Sequence, residues 1–259
     1  MCADGVVRCA ALLALQLVVL TCAKHVTLRN DAVPLDTAGA PLITGETSVL
    51  RHEGAWYLYV NNWGGCASVD CCSSARGCAA CCYVPSSRTF PDTCVFARNH
   101  TVVAYRTLDF EAWAPLGVVL ALRDRDPGIE FRPHVVFNVN SARFVMWFED
   151  RPSAINSSGY SVAVSPDASG PFTLVARNVF VSATPGDFDI LVDDDGEAYF
   201  VQTTTNDPSA TNGFAVTRLD AATFTAPLRG ANATARFAAP LPAEGPSFFK
   251  RKGTYYILA

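Results

Sequence analysis

The sequence predicts an all-β domain, and three observations support this. Short segments such as "WYLYVNNW" and "RFVMWFE" alternate in polarity and are rich in β-branched and aromatic residues, as strands are. No window of about a dozen residues shows a helical period, apart from the N-terminal apolar run. Glycines and prolines interrupt the chain throughout, which is typical of many short strands joined by turns.

A hairpin corner repeats four times along the chain. Each copy is a polar turn followed by an aromatic strand, and the turns centre near Gly54, Ala142, Gly196 and Gly253. The last two intervals are 54 and 57 residues, and the first, 88 residues, contains a Cys-rich insertion. A period of about 50 residues with several strands per unit predicts the blades of a β-propeller. A β-sandwich is the alternative, although its strands recur without such a long period.

Residues 1–23 predict a signal peptide. Arg8 precedes the apolar run Cys9–Cys22, which is too short to span a bilayer, and a small-residue exit ends at Ala23. An uncleaved anchor is the alternative. We therefore expect residues 24–259 to form the propeller domain, exported and without a membrane span once the signal is removed.

Two further features agree with export. Sequons at Asn99, Asn156 and Asn232 fit a secreted glycoprotein. The net charge of −4 argues against a nucleic-acid partner.

Seven of the ten cysteines cluster between Cys66 and Cys94 and define a Cys-rich insertion, residues 64–95. In an oxidising compartment this cluster predicts a loop held by disulfide bonds, because the segment has little apolar content to pack. Zinc at Cys78 and Cys81, which form a Cys-x-x-Cys, is the alternative.

Three carboxylates occupy equivalent places in the repeat. Glu46, Asp187 and Glu244 precede the turn glycine of their hairpins by 8, 9 and 9 residues. Because the inner strands of all blades converge on the axis, we expect the three side chains to surround one cavity. Such a set suits glycosidic cleavage: one acid protonates the leaving oxygen, one carboxylate activates water, and a third tunes the pKa of the acid.

Other ligand classes find less support. Asp193, Asp194 and Asp195 allow a calcium site, but an Asp-Gly hairpin turn is the preferred interpretation. The four histidines show no metal spacing, so neither metal nor cofactor is predicted. Trp147 lies in an apolar strand and is expected in the core.

The quoted hairpins carry a family resemblance. "PAEGPSFFKRKGTYYIL", "DFDILVDDDGEAYFV", "FRPHVVFNVNSARFVMWFE" and "NHTVVAYRTLDFEAW" together resemble glycoside hydrolase family 43, in its exo-β-1,3-galactanase branch. The resemblance runs from His25 to the end, except for the Cys-rich insertion. It implies a five-bladed β-propeller with an inverting mechanism, and we expect a C-terminally incomplete member whose last blade is unfinished in this chain.

The resemblance implies roles for the carboxylates. Glu244, in Glu-Gly-Pro, matches the general acid, and Asp187 matches the Asp that raises the pKa of the acid and orients substrate. Glu46 stands where the family usually places its base, an Asp. The galactanase branch has no carboxylate there and uses a Gln further along, which we expect beyond Ala259.

The substrate-binding residues follow less closely. The branch has a Glu directly before Arg-Pro, where this chain has Phe131, with Glu130 one residue earlier. A shift of one residue turns a side chain to the other face of a strand unless a bulge restores it. Arg132 and His134 are expected to line the cavity beside Glu130, and Trp63 to stack on a sugar.

The predicted function is therefore that of a secreted glycosidase acting on a galactan-like or arabinan/xylan-like polysaccharide. The alternative is a propeller that binds carbohydrate without cleaving it. An assay of sugar release distinguishes the two.

Overall fold

The computed structural model describes residues 34–43, 46–62, 82–83, 96–97, 100–125, 129–151, 159–181, 185–204, 212–230, 232–239 and 243–259. The predicted signal peptide, Trp63, the sequons at Asn99 and Asn156 and nearly all of the Cys-rich insertion lie outside these residues. Within them, helix is limited to one 3₁₀ turn, Leu122–Asp124, and no helix is long and apolar enough to cross a membrane.

The described residues form antiparallel strands in chain order. They are β1 (Thr47–His52), β2 (Ala55–Asn62), β3 (Cys82–Tyr83), β4 (Phe96–Ala97), β5 (Thr101–Thr107), β6 (Ala114–Leu120), β7 (Ile129–Asn138), β8 (Arg143–Arg151), β9 (Gly159–Ser165), β10 (Thr173–Val179), β11 (Phe188–Val192), β12 (Ala198–Thr203), β13 (Gly213–Arg218), β14 (Thr234–Ala238), β15 (Ser247–Arg251) and β16 (Thr254–Leu258).

Three four-stranded sheets follow one another, and a hairpin comes after them. The first sheet has the order β1-β2-β5-β6, the second β7-β8-β9-β10 and the third β11-β12-β13-β14, while β15 pairs with β16 and β3 with β4. The opening strands of successive sheets are neighbours: β1 lies beside β7, β7 beside β11 and β11 beside β15. The all-β prediction is confirmed. Four-stranded antiparallel sheets whose first strands lie side by side are also the arrangement of propeller blades.

The four predicted corners are hairpin turns. Glu53 and Gly54 both have positive φ, 47° and 77°, and so do Lys252 and Gly253, 50° and 77°. Two consecutive positive φ angles are the mark of the type I′ turn, whose twist matches paired strands. Ala142 and Gly196 also have positive φ in the turns before β8 and β12.

Aromatic side chains fill the space between sheets. Trp147, Tyr160, Phe188 and Phe200 form one cluster between the second and third sheets, where the rings of Phe188 and Phe200 stack 4.8 Å apart. The indole of Trp147 is fully buried and donates to the carbonyl of Phe224 over 2.8 Å. The expectation that Trp147 belongs to the core is confirmed.

A polar cluster ties the third sheet to the last hairpin. Asp193 accepts hydrogen bonds from Lys250 Nζ at 2.6 Å and from the Tyr255 hydroxyl, and Lys250 also reaches Asp194 at 2.9 Å. These bonds hold the pKa of Asp193 below its ordinary value. The Gly196 N–H donates to the Asp193 carbonyl at 3.0 Å, in agreement with the hairpin-turn interpretation.

We expect Gly213→Ala to destabilise the third sheet far more than Gly196→Ala. A Cβ at Gly213 would lie 1.9 Å from the carbonyl oxygen of Phe237 on β14, whereas a Cβ at Gly196 meets nothing within 4 Å. Both glycines have positive φ, so the Gly196 variant reports backbone strain alone, about 1 kcal/mol, and the Gly213 variant adds a clash, for about 3 kcal/mol in all. Urea unfolding measures both, and equal losses would contradict the described β13–β14 approach.

Candidate active site

A polar cavity of about 340 Å³ opens where the first strands of the sheets meet. Its volume falls within the range of about 300–1,000 Å³ that is usual for small-molecule sites. Three of the predicted site residues line it, Glu46, Arg132 and His134, together with Asp189. The other lining residues are Thr47, Ser48, Val49, Pro133, Phe188, Pro246 and Ser247.

A β-bulge aims Arg132 into this cavity. The pairing of β7 with β8 shifts register between Phe131 and His134, and Arg132 has a left-handed backbone with φ of 54°. Bulges re-aim side chains in this way, and a non-glycine residue rarely adopts this φ. The turned backbone also points the Arg132 N–H at Glu46, whose Oε2 accepts it at 2.7 Å.

The Arg132 side chain joins two of the predicted carboxylates. Its Nε and Nη2 donate to Asp187 Oδ1 and Oδ2 at 2.8 and 3.0 Å, which makes a bidentate ion pair. Its Nε also lies 3.9 Å from Glu46 Oε1. One guanidinium on the second sheet therefore faces carboxylates from the first sheet and from the start of the third.

Asp187 in turn holds the corner that carries Glu244. The Gly245 N–H donates to Asp187 Oδ2 at 2.8 Å. A Cβ at Gly245 would lie 3.6 and 3.7 Å from the two terminal nitrogens of Arg132, so the guanidinium packs against this corner. Glu244 itself is exposed, and its carboxylate has no hydrogen-bond partner in the part of the chain that the structure describes.

Burial raises the pKa of Glu46 from 4.5 to about 7. The charge of Arg132 and the hydrogen bond from its N–H act in the opposite direction, and the nearby carboxylates of Asp187 and Glu149 act with burial. Close to neutral pH, Glu46 can therefore both take up and release a proton.

Asp189 is a cavity residue that the sequence analysis did not select. It lies two residues after Asp187 on β11, and its Oδ1 is 3.0 Å from His134 Nδ1. Its Oδ2 accepts the Phe248 N–H at 2.6 Å. Burial pushes the pKa of Asp189 upwards, but the hydrogen bonds from His134, Phe248 and Ile190 outweigh it and leave the pKa below its ordinary value. Its position in the sequence could have predicted this, because residues two apart on a strand lie on the same face and Asp189 follows Asp187 by two.

Glu130 lies outside the cavity. Its side chain is 1% exposed, and its Oε1 is 3.4 Å from Nε of the fully buried Arg125. The Glu130 N–H donates to His100 Nε2 at 2.9 Å, and burial beside Arg125 lowers the pKa of His100 to about 3, so this ring is a neutral acceptor. The bulge follows Glu130 and turns Arg132 toward the cavity, so Glu130 is not among the residues that line it.

Metal ligands were not predicted for this site. Among the described residues, no group of three or more His, Cys, Asp or Glu side chains is placed to hold a metal ion.

Comparisons with known proteins identify the fold. No protein-family model and no curated protein matches the sequence. A solved family 43 β-1,3-galactosidase with galactodeoxynojirimycin is 19% identical, with a TM-score of 0.61 over 89% of this chain and 72% of that chain. An exo-β-1,3-galactanase from Phanerochaete chrysosporium with galactose is 21% identical, with a TM-score of 0.62 over 88% of this chain and 46% of that chain. An α-L-arabinofuranosidase from Clostridium thermocellum is 20% identical, with a TM-score of 0.54 over 83% and 62%.

The chain has the fold of glycoside hydrolase family 43. This confirms, at the level of the fold, the resemblance predicted from the sequence, and it supports the β-propeller architecture. The number of blades stays a prediction. The chain spans less than half the length of the Phanerochaete galactanase, and less than two thirds that of the arabinofuranosidase.

We expect Glu46→Gln to stabilise the protein at pH 8 and to leave it nearly unchanged at pH 4. A raised pKa means that the folded protein favours the protonated carboxyl, so the stability from this group is complete below about pH 4.5 and is lost as the pH rises through about 7. Glutamine mimics the neutral form, so its advantage should grow to about 3 kcal/mol at pH 8.

Urea unfolding from pH 4 to pH 8 measures this difference. Glu53→Gln, at an exposed turn position, is the control and should show no such trend. A constant difference between wild type and Glu46→Gln across the range would contradict the raised pKa.

Proposed function

We propose that this protein is a glycoside hydrolase that cleaves O-glycosidic bonds of a galactan-type polysaccharide by acid–base catalysis with inversion. The observation that carries the proposal is that Glu46, Arg132 and Pro246 line one polar cavity, while Asp187 binds both Arg132 and the Glu244–Pro246 corner from beside it. Solved β-1,3-galactosidases and exo-β-1,3-galactanases share this fold, which supports the proposal of a galactan-type substrate.

Glu244 is the proposed general acid. Its exposed carboxyl stands on a Gly-Pro corner beside the cavity, with no described partner to divert its proton. A general acid must reach the leaving oxygen directly, and an exposed carboxyl on a corner whose Pro246 lines the cavity is suited to that. Asp187 holds this corner in place by accepting the Gly245 N–H.

Glu46 is the proposed base. A pKa of about 7 suits proton uptake from water near neutral pH, because the best catalytic pKa lies near the working pH. The Arg132 N–H occupies one lone pair of Oε2 and fixes the carboxylate, which leaves its remaining lone pairs for water.

The finer architecture is also proposed. A five-bladed ring agrees with the family resemblance, and the described four-stranded sheets follow one another along the chain as blades do. An apolar groove of about 500 Å³ lies between the third sheet and β15–β16, and Phe214, Phe237, Phe248 and Tyr255 are among the residues that line it.

Export is proposed on the N-terminal pattern, the cysteine cluster and the sequons. Of the sequon asparagines, Asn232 falls within the described residues and is exposed, as a glycan acceptor must be.

One observation favours the non-catalytic alternative, a carbohydrate-binding propeller. With a pKa of about 7, Glu46 is mostly protonated in weakly acidic surroundings and cannot then act as a base. Under such conditions the cavity would hold a sugar without activating water.

We expect Glu244→Gln to slow the release of galactose from a β-1,3-galactobiose by about 100-fold or more, because the leaving sugar needs a proton. An aryl galactoside with an activated leaving group should lose much less. Galactose affinity, measured by calorimetry, should change less than about threefold, because the substitution keeps the shape of the side chain.

Glu53→Gln is the matched control and should behave as wild type. Full activity of Glu244→Gln on the disaccharide would refute the acid assignment. Binding of galactose by the wild type without any turnover would establish the binding-only alternative. Proton NMR of the first sugar released tests inversion, which requires the α-anomer from a β-linkage.

We expect the rate of the wild type to fall as the pH drops through about 7, because the proposed base, Glu46, becomes protonated there. Glu46→Gln should lower the rate and remove this limb from the profile of kcat/KM against pH. A limb that persists in Glu46→Gln would assign the ionisation to another group and would exclude Glu46 as the base.

A further inference from the structure

The cavity contains a shielded carboxylate that the proposed mechanism does not use. The side chain of Asp189 is 17% exposed, and it lines the cavity on β11. Placing a carboxylate out of water is unfavourable unless hydrogen bonds replace the lost hydration. Asp189 accepts three of them, from His134 on β7, from Phe248 on β15 and from the adjacent Ile190 N–H.

The bond to Phe248 acts on the segment that carries Glu244. Asp187 accepts the Gly245 N–H and Asp189 accepts the Phe248 N–H, so two carboxylates on one face of the chain hold two points of the same segment. Because β11 and β15 belong to different sheets, no ladder hydrogen bonds connect them. The hydrogen bonds to Asp187 and Asp189 therefore fix the position of the Glu244–Pro246 corner directly.

The bond to His134 acts on the opposite side of the cavity. With Nδ1 bonded to Asp189, only Nε2 of His134 can form a further hydrogen bond in the cavity. His134 lines the cavity, and no bond to its Nε2 occurs within the described residues. A sugar hydroxyl, which can donate or accept, is the partner that this nitrogen would meet in a carbohydrate site.

We infer that Asp189 is a positioning residue of this site, which holds the strand after Glu244 through Phe248 and orients His134 to form a hydrogen bond with a hydroxyl of the bound sugar. The part that concerns Glu244 rests on the proposed function. The sugar contact and the tie to Phe248 do not require hydrolysis.

Asp193 supplies a matched control. It directly follows β11 and links the same two sheets, through Lys250 and Tyr255, but it does not line the cavity. Asp193→Asn therefore removes an inter-sheet tie of similar kind without touching the proposed site.

The first test follows the Phe248 amide by NMR hydrogen exchange in the whole protein. In Asp189→Asn we expect this amide to exchange about tenfold faster, because its charged acceptor is lost. Asp193→Asn should leave it within about twofold of wild type if the tie is local to Asp189. An unchanged Phe248 amide in Asp189→Asn would overturn the proposed tie. If Asp189→Asn folds poorly, Asp189→Ser provides the same comparison.

The second test uses kinetics and binding. Asp189→Asn should lower kcat on β-1,3-galactobiose about tenfold or more, while an activated aryl galactoside loses less than about threefold, because misplacing the acid affects only leaving groups that need its proton. His134→Phe should weaken galactose binding about tenfold, since one hydrogen bond is lost. Asp193→Asn should change stability alone.

The outcomes separate the two proposals. If Asp189→Asn and Asp193→Asn show the same kinetic pattern, Asp189 is only a tie between sheets, and the inference is overturned. Unchanged galactose affinity in His134→Phe would overturn the sugar contact. If wild type releases no sugar but the exchange and binding effects appear as expected, the positioning role stands and the hydrolase proposal falls.

Discussion

The bidentate pair between Arg132 and Asp187 is the interaction on which the site depends. Sheets of this fold exchange no ladder hydrogen bonds, so their relative placement near the axis rests on packing and on side chains that cross between them. A guanidinium suits this task, because it stays charged and presents a rigid fork that matches a carboxylate. The backbone N–H of Arg132 also donates a hydrogen bond to Glu46, and Asp187 in turn accepts one from the Gly245 N–H. Four consecutive units of the chain thus meet through one arginine.

The bulge at Arg132 explains why this geometry is possible. A regular strand would direct neighbouring side chains to alternate faces, with Glu130 and Arg132 on the same one. The left-handed residue breaks that alternation, so Glu130 stays buried against Arg125 while Arg132 turns to the cavity. The uneven distribution of Arg132 contacts has an electrostatic consequence. Asp187 accepts two hydrogen bonds from the guanidinium. Glu46 accepts only the backbone N–H and lies 3.9 Å from a guanidinium nitrogen, so the effect of burial on the pKa of Glu46 prevails.

The third sheet and the last hairpin are joined at two levels. At the cavity, Asp187 and Asp189 hold backbone N–H groups of the corner and of β15. At the other end of β11, Asp193 holds side chains of both hairpin strands. Between these polar levels lie Phe248 and Tyr255, which face the apolar groove. Because separate hydrogen bonds hold the two ends of β11, substitutions at the cavity end can change the site while the far end keeps the sheets packed.

The sequence alone determined the strands, the four hairpin corners and three carboxylates ahead of them, because alternation and turn chemistry are local properties of a chain. Family resemblance added roles for Glu244, Asp187 and Glu46, and these roles stay a proposal. Only the tertiary structure decided that Glu130 is buried, that Arg132 binds carboxylates, and that Asp189 belongs to the cavity. The bonds of Arg132 to Glu46 and Asp187, and of Asp189 to Phe248, join residues 86, 55 and 59 positions apart. The register shift in β7 depends on the strand that pairs with it, and the pKa of Glu46 depends on the groups that surround it. Residues adjacent in the sequence determine neither of them.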